Sequence, residues 1–184
     1  MLKLVPHSDT VSIDEKNIKE KNWFVVKTKS RFEKKVYAQL QDLGYTAFLP
    51  LEIKFSLWSD RMKKVEIPLI PSVVFVENPK IDKERIYLIP GVYQILKSNG
   101  EIGVVTPKEI DHLRILTSSE LSFEKITPGE FNAGDEVEII NGPFAGYFAK
   151  AVEELNNYRV LIEINSLGLG YLVDVPKNKI RIID

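Results

Sequence analysis

The chain has 184 residues, a formal net charge of -1, 44% hydrophobic and 10% aromatic residues, and no cysteine. That length leaves room for one or two domains with modest cores, and without cysteine there is no disulfide framework, thiolate metal site or cysteine nucleophile. No apolar run approaches the roughly 18 residues of a membrane span, and the N-terminal stretch carries Pro6, Asp9 and Asp14 where a signal peptide needs an apolar segment. A cytoplasmic protein that does not enter a membrane is therefore expected.

Residues 1–21 are polar with weak periodicity and read as a flexible arm. A strand follows in "WFVVKT", Trp23 to Thr28, rich in β-branched and aromatic residues. "SRFEKKVYAQLQDLGY" reads as a helix with Ser30 as N-cap, Gly44 as stop, and Phe32, Val36, Leu40 and Leu43 along one face. Lys34, Lys35 and Gln39 then lie on the exposed side. The run "KTKSRFEKK", Lys27 to Lys35, holds five positive charges and one negative. Such a cluster suits a phosphate backbone, although lysines at a helix start also serve simply as a solvated face.

"AFLPLEIKFSLWSDRMKKVEIPLI" reads as two strands joined by a polar tip, and "SVVFVE" as a central strand with both faces covered. "DKERIYLI" is a short helix capped by Asp82, "GVYQILK" a strand and "SNGEIG" a turn. "TPKEIDHLRIL" carries a capping box, Thr106 with Glu109, and Pro107 at the first helical position. These elements imply an α+β sandwich on a mostly antiparallel sheet, residues 22–117. "TSSELSFEKITPGEF" is the expected linker, residues 118–130. Beyond it, residues 131–184 hold five short strands separated by turns, as in a small all-β barrel. Within it, "NGPFAGYFA" is a turn with Gly142, Pro143 and Gly146, and Phe144 is expected to plug the core.

Catalytic chemistry has no support in the residues. There is no Gly-rich phosphate loop and no nucleophile elbow. The two histidines, His7 and His112, are not at metal-ligand spacing, and His112 reads as a surface or core-edge residue. No catalytic residue, metal or cofactor is assigned.

The stretches "NWFVVKTKSRFEKKVYAQLQDLGYTAFLP", "IPLIPSVVFVE" and "IPGVYQIL", followed by "FNAGDEVEIINGPFAGYFA", resemble the NusG family of transcription elongation factors over nearly the whole chain. The resemblance implies an N-terminal NusG-type domain and a C-terminal KOW barrel of SH3-like type. It further implies an apolar patch, built here from Ile70, Pro71, Val73 and Phe75, that binds the β′ clamp helices of RNA polymerase and suppresses pausing. Where the family pattern runs closer to Phe-Pro-Gly-Tyr-Val-Phe-Val, this chain has Ile-Pro-Ser-Val-Val-Phe-Val.

By the same resemblance, Lys29, Arg31, Lys34, Lys35 and Gln39 would contact the non-template DNA strand of the transcription bubble. Leu167, as an exposed apolar anchor, and Gly168 would contact ribosomal protein uS10 or the termination factor Rho. The long arm, the divergent patch and Ala149 in place of a family glycine lean toward a specialised paralogue, similar to RfaH or the UpxY group, that promotes read-through of polysaccharide-type operons. The alternatives are the housekeeping factor itself, or a KOW-type RNA- or ribosome-binding module acting off the polymerase. A monomer with a stable barrel is expected.

Overall fold

The computed structural model describes residues 22–57, 62–77, 82–98, 100–118, 121–126, 134–154 and 157–183. The expected arm, the hairpin tip, Asn99 of the Asn-Gly turn and residues 127–133 of the connector lie outside them. The chain divides into two compact units between Ile110 and Asp111.

The first unit is built on β1 (Trp23–Thr28), α1 (Glu33–Asp42), β2 (Ala47–Phe48), the ribbon β3 (Leu51–Leu57) and β4 (Met62–Pro68), and β5 (Val73–Glu77). It continues through α2 (Lys83–Tyr87), β6 (Val92–Ile95), the short pair β7 (Lys97–Ser98) and β8 (Glu101–Ile102), β9 (Val104–Val105) and the start of α3 (Pro107–Ser118). The main sheet runs β2-β5-β1-β6, with β9 also on β1, and every pairing is antiparallel. β5 lies between two strands, as its unbroken apolar run requires.

Strand alternation sorts the side chains of this sheet. On one face Val26, Val74, Val76 and Ile95 pack with Val36 and Leu40 of α1 and Ile86 of α2. On the other, Trp23, Val25 and Phe75 are buried, and the Phe48 ring sits 6.5 Å from Trp23 and 6.1 Å from Phe75. Helix ends are fastened largely as the residues suggest. Asp82 Oδ1 accepts the Arg85 N–H at 3.1 Å. Thr106 donates its N–H and its hydroxyl to Glu109 Oε2, both at 2.8 Å, and accepts the Glu109 N–H at 3.3 Å.

Ser30 does not cap α1. Phe32 holds the N-cap position without a side-chain bond, because Lys29 to Phe32 close a turn in which Arg31 takes φ 66° and the Phe32 N–H donates to the Lys29 carbonyl.

The second unit is a six-stranded antiparallel sheet in the order β10-β14-β13-β12-β11-β15. Its strands are β10 (Phe123–Ile126), β11 (Asp135–Ile139), β12 (Phe148–Glu154), β13 (Asn157–Ile164), β14 (Leu169–Pro176) and β15 (Ile180–Ile182). Strand β10 corrects the expected linker. Phe123 to Ile126 pair with Val173 to Gly170, and Phe123 sets its ring edge-on to buried Tyr171. Phe144 fills the barrel core as expected, and the turn around it runs through Gly142 at φ 99° and Gly146 at φ 83°. Leu167 is a second correction. It ends a 3-10 turn, Asn165–Leu167, whose winding carries it inward, and it is 4% exposed rather than an open anchor.

Two outcomes follow for stability. Ser72 stands at φ 59°, a left-handed position that costs a side chain about 1–2 kcal/mol, so Ser72→Gly is expected to raise the unfolding free energy by about 1 kcal/mol after the added chain entropy of glycine. Leu167→Ala is expected to lower it by about 2–4 kcal/mol, as for a buried leucine; both are read from denaturant midpoints.

Candidate functional site

The two stretches singled out in the first unit, Lys27 to Gln39 and Ile70 to Phe75, meet at one end of the main sheet. Thr28 N–H donates to the Ser72 carbonyl at 3.0 Å, and Lys29 N–H to the Gly91 carbonyl at 2.8 Å. Glu33, the one acid in the basic run, turns inward and is 5% exposed. Its Oε1 accepts the Ser72 N–H at 2.8 Å, joining the first turn of α1 to the Ile70–Val73 turn. Gly91 closes the third loop: a Cβ there would stand 2.3 Å from Phe32 Cδ1. In the sequence, the only signal of this role for Glu33 is its isolation among five cations.

The basic residues divide. Lys29, Arg31, Lys34 and Lys35 are exposed, as expected. Lys34 Nζ lies 3.6 Å from Glu66 Oε2 of β4, and Lys35 Nζ lies 5.9 Å from the Phe32 ring centre. Exposed contacts of this kind contribute no more than about 1 kcal/mol, so both ammonium groups can exchange them for a phosphate. Gln39 is half-buried rather than exposed, with its Oε1 enclosed. It sits on the flank of α1 between the solvent side and the stripe of Val36 and Leu40.

Of the four apolar candidates only Pro71 is exposed; Ile70, Val73 and Phe75 are fully buried. Beside them lies Lys27, which pairs with Val73 on one side and Gln94 on the other, on the sheet face that also carries Val25 and Phe75. It is half-buried, and burial lowers its ammonium from the ordinary lysine range.

The ribbon β3–β4 also presents an apolar face. Ile53, Phe55 and Leu57 alternate along β3, Leu57 pairs with Met62, and all four are exposed, Leu57 by 79%. The alternation in "IKFSL" is the sequence signal for that face.

In the second unit His112 is buried at the edge of a core. Its Nδ1 lies 3.4 Å from the Glu163 carbonyl, and its ring stands edge-on to Tyr147 at 4.7 Å. Burial, with a smaller contribution from the Asp111 carboxylate, raises the Tyr147 hydroxyl above its ordinary value. At the barrel tip Gly168 takes φ 60° immediately after the enclosed Leu167. Among the described residues no group of three or more histidines and carboxylates is placed to hold a metal ion, and no helix is long and apolar enough to cross a membrane.

A family model described as "Transcription termination factor nusG" matches residues 21–114. The transcription termination/antitermination protein NusG of Halalkalibacterium halodurans is 27% identical over 178 residues, spanning 88% of this chain and 98% of that protein. Its counterpart in Bacillus subtilis is 29% identical over 163 residues, covering 81% and 91%. Among solved structures, one of Thermotoga maritima NusG, titled for its domain interaction, covers 91% of this chain and all of its own, with a TM-score of 0.53 at 22% identity. That likeness extends the fold assignment to the α+β unit followed by a β-rich, KOW-like barrel. The chain belongs to the NusG family, whose members act in transcription elongation and antitermination.

Proposed function

We propose that this chain docks on RNA polymerase at the β′ clamp helices, suppresses pausing and contacts the non-template DNA strand in the bubble. Residues 22–117 are the polymerase-facing domain, and residues 131–184, extended by β10, are the KOW barrel. The observation that carries this reading is the Glu33–Ser72 bond, which sets Pro71 and the exposed Lys29 and Arg31 around one end of the same sheet. A protein surface and a phosphate backbone lying side by side could be held there together. Pro71 is the part of the patch a partner meets first; Ile70, Val73 and Phe75 would be reached only in another conformation. At the barrel tip, Gly168 rather than Leu167 is the group that ribosomal protein uS10 or Rho would meet.

The specialised form of this function, read-through of polysaccharide-type operons, rests on the divergent 70–75 segment and on Ala149, which pairs with Val137 in the β11–β12 ladder. The general elongation factor is the second reading, favoured by the names of the relatives reported above. Deleting the gene and mapping transcript ends separates the two: loss of distal transcripts in one long operon supports the specialised form, and genome-wide change supports the general one.

Pro71→Asp is expected to weaken capture of purified RNA polymerase by about tenfold or more, with its thermal midpoint close to that of the parent. Undiminished capture would point to action off the polymerase. For DNA, replacing Lys34 and Lys35 together by alanine should reduce the slope of log K against log salt for single strands by about 1.4, measured by fluorescence anisotropy.

A further inference from the structure

Lys27 is a cation in an apolar setting. It lies on the face of the main sheet that carries Trp23, Val25, Val73 and Phe75, one strand position from residues that have no exposure at all. Among the described residues no carboxylate forms an ion pair with it, whereas Lys34, Lys54, Arg114, Arg159 and Arg181 each have at least one. Burial alone accounts for its lowered ammonium, with no opposing contribution from a nearby acid. A half-desolvated charge without a counter-charge costs stability. A methionine of similar length would fill the same space without that cost. The end of this face is also its open part, since Gln94, opposite Lys27, and Pro71 in the adjoining turn are both exposed.

We infer that Lys27 is a specificity contact of the docking surface, and that its ammonium receives an acidic side chain of the polymerase. The inference rests on the docking reading above and names the chemistry of one contact within it. A carboxylate arriving at a half-buried ammonium gains more than at an open surface, because less water screens the pair. It also orients the partner, since an apolar patch alone tolerates sliding whereas an ion pair fixes register.

The test measures binding of purified RNA polymerase core enzyme, without nucleic acid, to the full chain and to Lys27→Met, Lys27→Arg, Lys27→Glu and Pro71→Asp variants over a series of salt concentrations. Lys27→Met is expected to bind about tenfold weaker, with a shallower salt dependence, while melting no lower than the parent. Lys27→Glu should be weaker still, and Lys27→Arg should stay near the parent. If Pro71→Asp weakens binding but Lys27→Met stays within about twofold of the parent with the same salt dependence, the role of Lys27 is overturned and the docking reading stands. If the parent chain does not bind, or Pro71→Asp binds as tightly, the docking reading falls and the inference with it.

Discussion

A single hydrogen bond accepted by a buried acid sets the geometry at one end of the main sheet of the first unit. Glu33 begins α1, and its Oε1 takes the N–H of Ser72, a residue 39 positions away in sequence. Bonds of this kind to a charged acceptor contribute about 1.5–3 kcal/mol, and breaking one leaves a buried polar group unsatisfied. Around it the other links fall into place: Thr28 to the Ser72 carbonyl, Lys29 to the Gly91 carbonyl, and Phe32 over Gly91. The basic loop and the turn carrying Pro71 are therefore one structure. Displacing either would disturb the other.

Both left-handed residues other than glycine belong to this assembly. Arg31 at φ 66° and Ser72 at φ 59° are the positive-φ positions occupied by side chains among the described residues. Strain of this sort persists where surrounding bonds over-determine the backbone, and it gathers at sites that bind. Here it lets the chain turn sharply from Lys29 into the start of α1, closed by the Phe32 N–H on the Lys29 carbonyl. Lys27 fits the same pattern, as a second locally unfavourable feature at the same end of the sheet.

Much of the fold was legible because its signals are local. The Phe32, Val36, Leu40 and Leu43 stripe, the Thr106–Glu109 box, the Asp82 cap and the apolar run of β5 each declare their structure within a dozen residues, and each is where the pattern places it. What escaped depends on distant partners. Ser30 resembles a cap, but the cap position falls to Phe32 because Lys29 is already tied to Gly91. Leu167 sits among turn residues, and only the winding of its 3-10 turn shows that it points inward. Of the candidate site, the exposure of Lys34 and Lys35 could be read from helical periodicity. The burial of Ile70, Val73 and Phe75, and the part played by Glu33, could not.

Strand β10 shows the same limit on the barrel side. Its "FEKI" is short and polar, and its strand character comes from pairing with β14 rather than from its own residues. The repeating pattern of the barrel begins at β11, yet the folded object begins one strand earlier. A fragment cut at residue 131 would bare the backbone edge of β14 from Gly170 to Val173 and uncover one side of Tyr171. Open edges of that kind pair with other chains. Strand β10 thus covers an edge of the barrel, and replacing it would alter the barrel's solubility.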